Sequence, residues 1–222
     1  LEHWHALQAM SDAAKTPGGP LPESIKLDDE DALWDEGIEL IGESLEGIDR
    51  AVSIVRDIKT FSHGGSHERE LTDLTRLLDA TLRIASPQLR HRVRVERDDG
   101  ELPVIECAPR EIQQVFLNLL LNAIDATPEG ESGELPCITI ETRADGRNVR
   151  VRFTDEGDGI ADDCIDCIFD PFFTTKPAGK GTGLGLALSY EIVRRHDGDI
   201  SVQSEVGAGT CFTVVLPRPA EE

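Results

Sequence analysis

Three polar side chains lie at positions i, i+4 and i+7 of one predicted helix. They are Asn118, Asn122 and Asp125, in the segment QQVFLNLLLNAIDA that begins at Gln113. Residues at this spacing share one face of an α-helix. A carboxamide oxygen is a hard, neutral ligand that suits a Mg²⁺ ion bridging phosphates. The alternative is an ordinary polar helix face, but two asparagines amid leucines are mediocre helix formers.

A second segment, DEGDGI over 155–160, directly follows a predicted strand. Gly157 and Gly159 permit a sharp turn and the close approach of a ligand. The carboxylate of Asp155 can accept a hydrogen bond from an exocyclic amine such as that of adenine. The alternative is an acidic turn without a ligand.

A third segment, FDPFFTTK over 169–176, places three aromatic residues beside a proline. The pattern predicts a hydrophobic anchor for a mobile lid, with Lys176 and Lys180 available to phosphate. The alternative is a buried loop that binds nothing.

A fourth segment, GKGTGLGL over 179–186, runs into a predicted helix. Its glycines free the first-turn amides to face an anion, and the helix dipole adds to this attraction. It is not a Walker loop, because Lys180 precedes Gly181 and no strand enters the loop directly. It also lacks the strand and downstream acid of a dinucleotide fingerprint. The alternative is a flexible glycine linker.

In this order the four segments resemble the N, G1, F and G2 boxes of the histidine kinase catalytic domain. The segment GAGT over 207–210 resembles the last glycine motif of that family. This similarity covers residues 71–217, and residues 48–62 resemble the second stem helix of such kinases. The resemblance implies the ATP-binding fold shared with gyrase, Hsp90 and MutL.

The resemblance also implies ATP and Mg²⁺ as cofactors. Asn122, together with Asn118, is expected to hold the metal, and Asp155 to bind the adenine amine. Because phosphoryl transfer is mostly positioning and charge neutralisation, we expect Asn118 and Lys176 to be the catalytic residues. The expected nucleotide-binding residues are Asn118, Asn122, Asp125, Asp155, Gly157, Gly159, Ile160, Phe173, Lys180, Thr182, Gly183, Leu184, Gly185, Leu186 and Thr210.

The expected nucleophile is a histidine imidazole on the first stem helix. His3 and His5 lack the acidic neighbour that follows the acceptor in the family. The chain also opens at Leu1 instead of Met. We therefore expect a piece of a longer protein, with the acceptor upstream, that binds ATP without phosphorylating itself.

The elements that must position these segments begin with a stem. Residues 1–14 read as a helix and 21–35 as a loop. A stripe of apolar residues at a/d heptad spacing then predicts a long helix of a helical hairpin or a dimeric four-helix bundle. The alternative is a helix packed on its own domain. The stripe consists of Ile38, Ile41, Leu45, Ile48, Val52 and Val55.

Two domains follow from this reading: a partial dimerisation stem over 1–66 and an ATP-binding catalytic domain over 67–222. The fold class is α+β, a two-layer α/β sandwich whose mixed sheet is covered by helices on one face, preceded by the helical hairpin. Helices are predicted over 71–86, 109–127 and 184–196. Strands are predicted over 93–97, 104–107, 138–142, 149–154, 200–204 and 210–216, with the last four forming two hairpins.

Composition restricts the partners. A net charge of −21 repels nucleic acid and anionic lipid. No apolar run is long enough to span a membrane. Five cysteines, including a lone pair at Cys164 and Cys167, fit reduced thiols in the cytoplasm better than a zinc site. We expect a response regulator receiver domain and a second copy of the stem as partners, in the cytoplasmic part of a sensor.

Three rival functions remain at this point. An ATPase of the gyrase, Hsp90 or MutL type carries a glutamate base one turn before the metal asparagine, where this chain has Asn118. A serine kinase of the anti-sigma-factor type lacks a stem. A scaffold that has lost catalysis is expected not to bind Mg·ATP. A further departure is Asp197, where the family often has glycine, and we expect only a small local cost there.

Overall fold

The computed structural model describes residues 37, 38, 40–42, 44, 45, 47, 48, 68–128, 135–177 and 181–218. The chain divides into two units, Leu1–Ser53 and Ile54–Glu222. The described positions of the first unit are helical, as the apolar stripe predicts. The predictions for the helix over 1–14, the loop over 21–35, the remainder of the stem, His3, His5 and Lys180 lie outside the described residues.

The second unit contains four described helices and seven described strands. The helices are α1 Leu74–Leu89, α2 Pro109–Ala126, α3 Asp162–Ile165 and α4 Gly185–Arg195. The strands are β1 Glu70–Thr72, β2 Arg94–Asp99, β3 Ile105–Cys107, β4 Cys137–Asp145, β5 Asn148–Asp155, β6 Asp199–Glu205 and β7 Gly209–Pro217.

The main sheet has five strands in the order β2-β4-β5-β7-β6. Strands β2 and β4 are parallel, and every other neighbouring pair is antiparallel. The predicted hairpins β4–β5 and β6–β7 are therefore confirmed, and so is the mixed α+β sandwich. Strands β1 and β3 form a separate antiparallel pair.

The core lies between one face of the main sheet and the long helices. Along β5, Val149, Val151 and Phe153 are buried, as expected for every second residue of a strand. The ring of Phe153 packs against Phe116 of α2, with 5.7 Å between ring centroids. The same alternation places Asp155, the last residue of β5, on the helix-covered side.

The first predicted helix begins later than expected. Leu71 belongs to β1 instead of a helix, and the helix starts after Asp73. The Asp73 carboxylate accepts hydrogen bonds from the amides of Thr75 at 2.9 Å and Arg76 at 3.2 Å. An aspartate in this position satisfies first-turn amides that have no partner within the helix. Leucine spacing alone does not distinguish the strand residue from the helix that follows it.

Candidate nucleotide-binding site

The exposed side of α2 carries the predicted polar face. Asn118 and Asn122 are half-buried and Asp125 is exposed, beside the buried stripe of the same helix. The Asn122 side chain makes no hydrogen bond to any residue that the structure describes, so its carboxamide oxygen is available to a cation. This matches the ligand type that Mg²⁺ prefers.

Asn118 uses its carboxamide within the protein. Its Nδ2 donates to the carbonyl oxygen of Gly185 at 3.1 Å and to Ser189 Oγ at 3.3 Å. Its Oδ1 accepts from Gln114 Nε2 at 2.9 Å. Asn118 therefore fastens the start of α4 to the middle of α2, and its expected roles in metal binding and catalysis stay predictions.

Asp155 is a buried carboxylate with one fixed oxygen. Only 3% of the residue is exposed, and Oδ1 accepts from the amides of Gly157 at 2.9 Å and Thr210 at 3.1 Å. Burial raises the pKa of Asp155, whereas these two amide bonds act to lower it. Among the described residues nothing hydrogen-bonds to Oδ2, so this oxygen is free to accept from a ligand amine.

The bend after Asp155 is held against the β6–β7 hairpin. Gly159 has φ +73°, and a Cβ there would overlap the carbonyl oxygen of Glu205. The Ser204 hydroxyl accepts from the amide of Ile160 at 2.8 Å and lies 2.9 Å from Thr210 Oγ1. Ser204 was not identified from the sequence, because a serine inside an alternating strand gives no distinctive signal.

The bend also contacts the end of α2. The amide of Asp158 donates to the carbonyl oxygen of Ala126 at 3.1 Å. Together with the Asn118–Gly185 contact, this brings three of the predicted segments to the second half of α2. The segments over 155–160 and 179–186 therefore both contact the helix that carries Asn122.

The first turn of α4 is open. Its N-cap residue, Leu184, makes no side-chain cap, and no acidic residue lies in this turn. The Leu184 amide itself reaches the Thr182 hydroxyl at 3.2 Å. The uncapped amides that follow are donors without an intrahelical partner, which is the arrangement that binds phosphate at helix starts.

The aromatic segment is only partly an anchor. Phe169 packs on Tyr190 of α4 with 5.4 Å between ring centroids, and Phe173 packs against the core. Phe172 differs, because it is 72% exposed and has φ +69°. Its amide donates to the carbonyl oxygen of Gly183 at 2.9 Å, which joins this segment to the residues before α4.

Lys176 reaches the polar face of α2. Its Nζ lies 2.6 Å from Asp125 Oδ2, and the two side chains are 34% and 45% exposed. Such a half-exposed pair contributes about 0–1 kcal/mol and is weakened by salt. The contact joins the aromatic segment to the polar face of α2, and the expected role of Lys176 at phosphate stays a prediction.

No group of three or more His, Cys, Asp or Glu residues suited to a metal occurs in the described part of the chain. The thiols of Cys164 and Cys167 are free. None of the described helices has the length and apolar character needed to cross a membrane.

Comparison with known proteins adds independent findings. Residues 107–220 match the family model described as histidine kinase-, DNA gyrase B-, and HSP90-like ATPase. Sensor kinase CckA of Brucella abortus (strain 2308) is 38% identical over 194 residues, which are 80% of this chain and 20% of that protein. Sensor histidine kinase ZraS of Escherichia coli (strain K12) is 40% identical over 151 residues, 67% of this chain and 31% of that protein.

The solved catalytic domain of histidine kinase ThkA is similar in structure. It has a TM-score of 0.60 and 28% identity, covering 68% of this chain and 96% of that domain. The matched part of this chain covers only 20% of the length of CckA and 31% of the length of ZraS.

Proposed function

The chain belongs to the family of histidine kinase-, DNA gyrase B- and HSP90-like ATPases, and we propose that residues 67–222 bind Mg·ATP as the catalytic domain of a protein histidine kinase. The γ-phosphoryl group is transferred to a histidine of the dimerisation stem, upstream of Leu1. The observation that carries this proposal is that the second half of α2, which bears Asn122, contacts both the bend after Asp155 and the open start of α4.

In this proposal Asp155 selects the base. Its free Oδ2 accepts from the exocyclic amine of adenine, while Gly157, Gly159, Ile160 and Thr210 form the walls around it. A base with a hydrogen-bond donor at this position binds. A base with an acceptor there is rejected, because its acceptor would face a carboxylate oxygen.

The phosphates lie toward α4 and α2. The amides of residues 183–186 hold phosphate oxygens, with Thr182 and Phe173 beside them, and Asn122 holds Mg²⁺ together with Asn118. When bound there, Mg²⁺ would supply charge neutralisation at the phosphate oxygens. Lys176 and Lys180 supply further positive charge. When the nucleotide binds, Lys176 leaves its ion pair with Asp125 and contacts phosphate instead.

The rival ATPase function is not favoured. Activation of water requires a general base near the phosphate. One turn before Asn122 the chain has Asn118, and a neutral carboxamide is a poor base. A site without its own base suits transfer to a nucleophile that another part of the protein supplies.

Partners and compartment belong to the same proposal. We infer a receiver domain of a response regulator as the next phosphoryl acceptor, and a homodimer through residues 1–66. The stripe residues Ile38, Ile41, Leu45 and Ile48 are exposed in the single chain, which supports a second copy as their cover. Free cysteines and an acidic surface fit a cytoplasmic domain that binds no nucleic acid.

Phosphoryl transfer is the direct test. The chain, and a longer form that includes the upstream stem helix, are incubated with Mg²⁺ and ATP labelled at the γ-phosphate. We expect acid-labile, alkali-stable label on the longer form only, and no label when it carries Asn122→Ala. Steady phosphate release by this chain, without phosphohistidine in either form, would instead establish an ATPase. Label on this chain that disappears in the His3→Gln/His5→Gln variant would place the acceptor here.

A further inference from the structure

His196 is a buried histidine that connects α2 and α4, and this contact lies away from the proposed phosphate site at the start of α4. It follows the last residue of α4, and its Nε2 accepts a hydrogen bond from the amide of Ala108 at 3.0 Å. Ala108 is the N-cap residue of α2. The Nδ1 atom lies 2.8 Å from the carbonyl oxygen of Ile192. Because an amide only donates and a carbonyl only accepts, the ring is neutral with its proton on Nδ1.

A second contact joins the other end of α4 to the middle of α2. There the Asn118 carboxamide donates to the carbonyl oxygen of Gly185, at the start of α4. With a rise of about 1.5 Å per residue, His196 and Gly185 are about 16 Å apart along the helix axis. Two hydrogen bonds at this separation oppose sliding of α4 along α2. Apolar packing alone is less directional and fixes the axial position of α4 less well.

We infer that His196 is a positioning residue: its bond to Ala108 sets the axial position of the open first turn of α4 relative to Asn122 on α2. The phosphate-binding amides and the metal ligand lie on these two helices, so this position fixes the distance that Mg·ATP must match. The inference rests on the proposed function, because it assigns a determinant of phosphate geometry within that site.

The surroundings of His196 keep the ring in the required form. A cavity of about 220 Å³ beside it is lined by Arg69, Ala108, Glu111 and Arg195. Burial lowers the pKa of His196, and the cations of Arg69 and Arg195 lower it further. The carboxylate of Glu111, 4.0 Å from Nδ1, acts in the opposite direction.

Acidification should therefore break the contact. Protonation puts a proton on Nε2, which then faces the Ala108 amide donor to donor. The charged groups that act on His196 are Arg69, Glu111 and Arg195. Nearby, Asp197 pairs with Arg69 and Asp199 pairs with Arg194. Because the pKa of His196 is lowered, mainly by burial, this protonation requires a more acidic solution than an ordinary histidine does.

Two substitutions separate positioning from plain stability. His196→Phe keeps an aromatic ring but removes the acceptor, and His196→Gln places an amide oxygen near the position of Nε2. Dissociation constants for Mg·ATP and for adenosine are measured by calorimetry and ligand-observed NMR on protein shown to be folded by circular dichroism. Adenosine reports the Asp155 end alone, because it has no phosphate.

We expect His196→Phe to weaken Mg·ATP about tenfold, the value of one hydrogen bond of about 1.4 kcal/mol, with adenosine unchanged and with recovery in His196→Gln. If His196→Phe does not fold, Ala108→Pro removes the amide donor instead and is expected to give the same split. A lower melting temperature with Mg·ATP affinity within about twofold of the parent, or equal weakening of both ligands, would overturn the inference. Failure of the parent to bind Mg·ATP would overturn the proposed function as well.

Discussion

The two ends of the candidate site are built differently. At the base end, Asp155 is buried, its Oδ1 is fixed by two backbone amides, and Ser204 ties the bend to the neighbouring hairpin. At the phosphate end, Lys176 and Asp125 form a half-exposed ion pair and Phe172 is largely exposed. One end is held by many short-range contacts and the other by contacts that water and salt weaken.

The difference follows from what each end must do. A buried carboxylate without partners is strongly unfavourable, so the base end is stable only when its hydrogen bonds are in place before the ligand arrives. A surface ion pair contributes little and separates easily. We therefore expect the base end to be preformed and the phosphate end to rearrange when the proposed nucleotide binds.

The largest expected effect is the loss of stability when the backbone of the bend at the base end is strained by a substitution. Gly159→Ala places an alanine at a positive φ, and its Cβ overlaps the carbonyl oxygen of Glu205. We therefore expect a loss of about 2–5 kcal/mol in the free energy of unfolding. Gly146→Ala is the matched control, because Gly146 also has a positive φ but a Cβ there meets nothing within 4 Å. Chemical denaturation of both variants measures the difference, and equal losses would show that the bend is not tightly packed.

The next effect concerns the free oxygen of Asp155. Asp155→Asn keeps an acceptor for the two amides but presents an amide donor to the adenine amine. We expect Mg·ATP binding to weaken by about 1.5–3 kcal/mol, or roughly 10- to 150-fold. The control is Asp158→Asn, which makes the same charge change at an exposed position of the same bend. Unchanged affinity in Asp155→Asn would remove the base-recognition role.

A smaller effect is expected at the phosphate end. In a double-mutant cycle of Lys176→Gln and Asp125→Asn without nucleotide, we expect a coupling energy of about 0.5 kcal/mol that decreases with salt. With Mg·ATP, Lys176→Gln should weaken binding whereas Asp125→Asn should not, because the lysine then contacts phosphate. A coupling above about 2 kcal/mol would contradict the view that this end is loosely held.

The smallest effect is a pH-dependent gain in stability. Because burial raises the pKa of Asp155, the ionised form is less favourable in the folded state than in the unfolded state. At neutral pH this penalty is fully present, and it is lost as the pH falls through the raised pKa. We therefore expect Asp155→Asn to raise the melting temperature slightly at pH 7, with the gain shrinking in acid. A gain that grows in acid would contradict the assigned cause.

Much of this site is predictable because its residues are close together in sequence. Asn122 and Asp125 share a helix face by spacing alone, and Asp155 ends an alternating strand. The open start of α4 follows from a glycine-rich segment that enters a helix. Such local patterns determine the element, and the order of the segments then indicates the family.

Contacts between distant residues were not predictable. The parallel pairing of β2 with β4, the bond from Ile160 to Ser204 and the bond from Ala108 to His196 all join residues more than 40 positions apart. Each depends on packing that spacing does not encode. The spacing also does not show that Phe172 is exposed whereas Phe169 and Phe173 pack against the core.

The backbone at Asp197 explains why the family often has glycine at this position. It has φ +56° after α4, the conformation for which glycine is usual. The amide of Gly198 reaches the carbonyl oxygen of Val193 at 3.0 Å, which closes the helix end. Aspartate tolerates this conformation better than most residues, and its carboxylate pairs with Arg69.

The central claim is that Asn122, Asp155 and the start of α4 bind one magnesium nucleotide. Calorimetric titration of ATP, with Mg²⁺ and with EDTA, into the parent, Asn122→Ala and the control Asn148→Ala tests it most directly. We predict that Mg²⁺ strengthens ATP binding to the parent and to Asn148→Ala, and that Asn122→Ala loses this gain while its Mg²⁺-free affinity is unchanged. Mg·ATP binding by Asn122→Ala that is as tight as that of the parent would contradict the account.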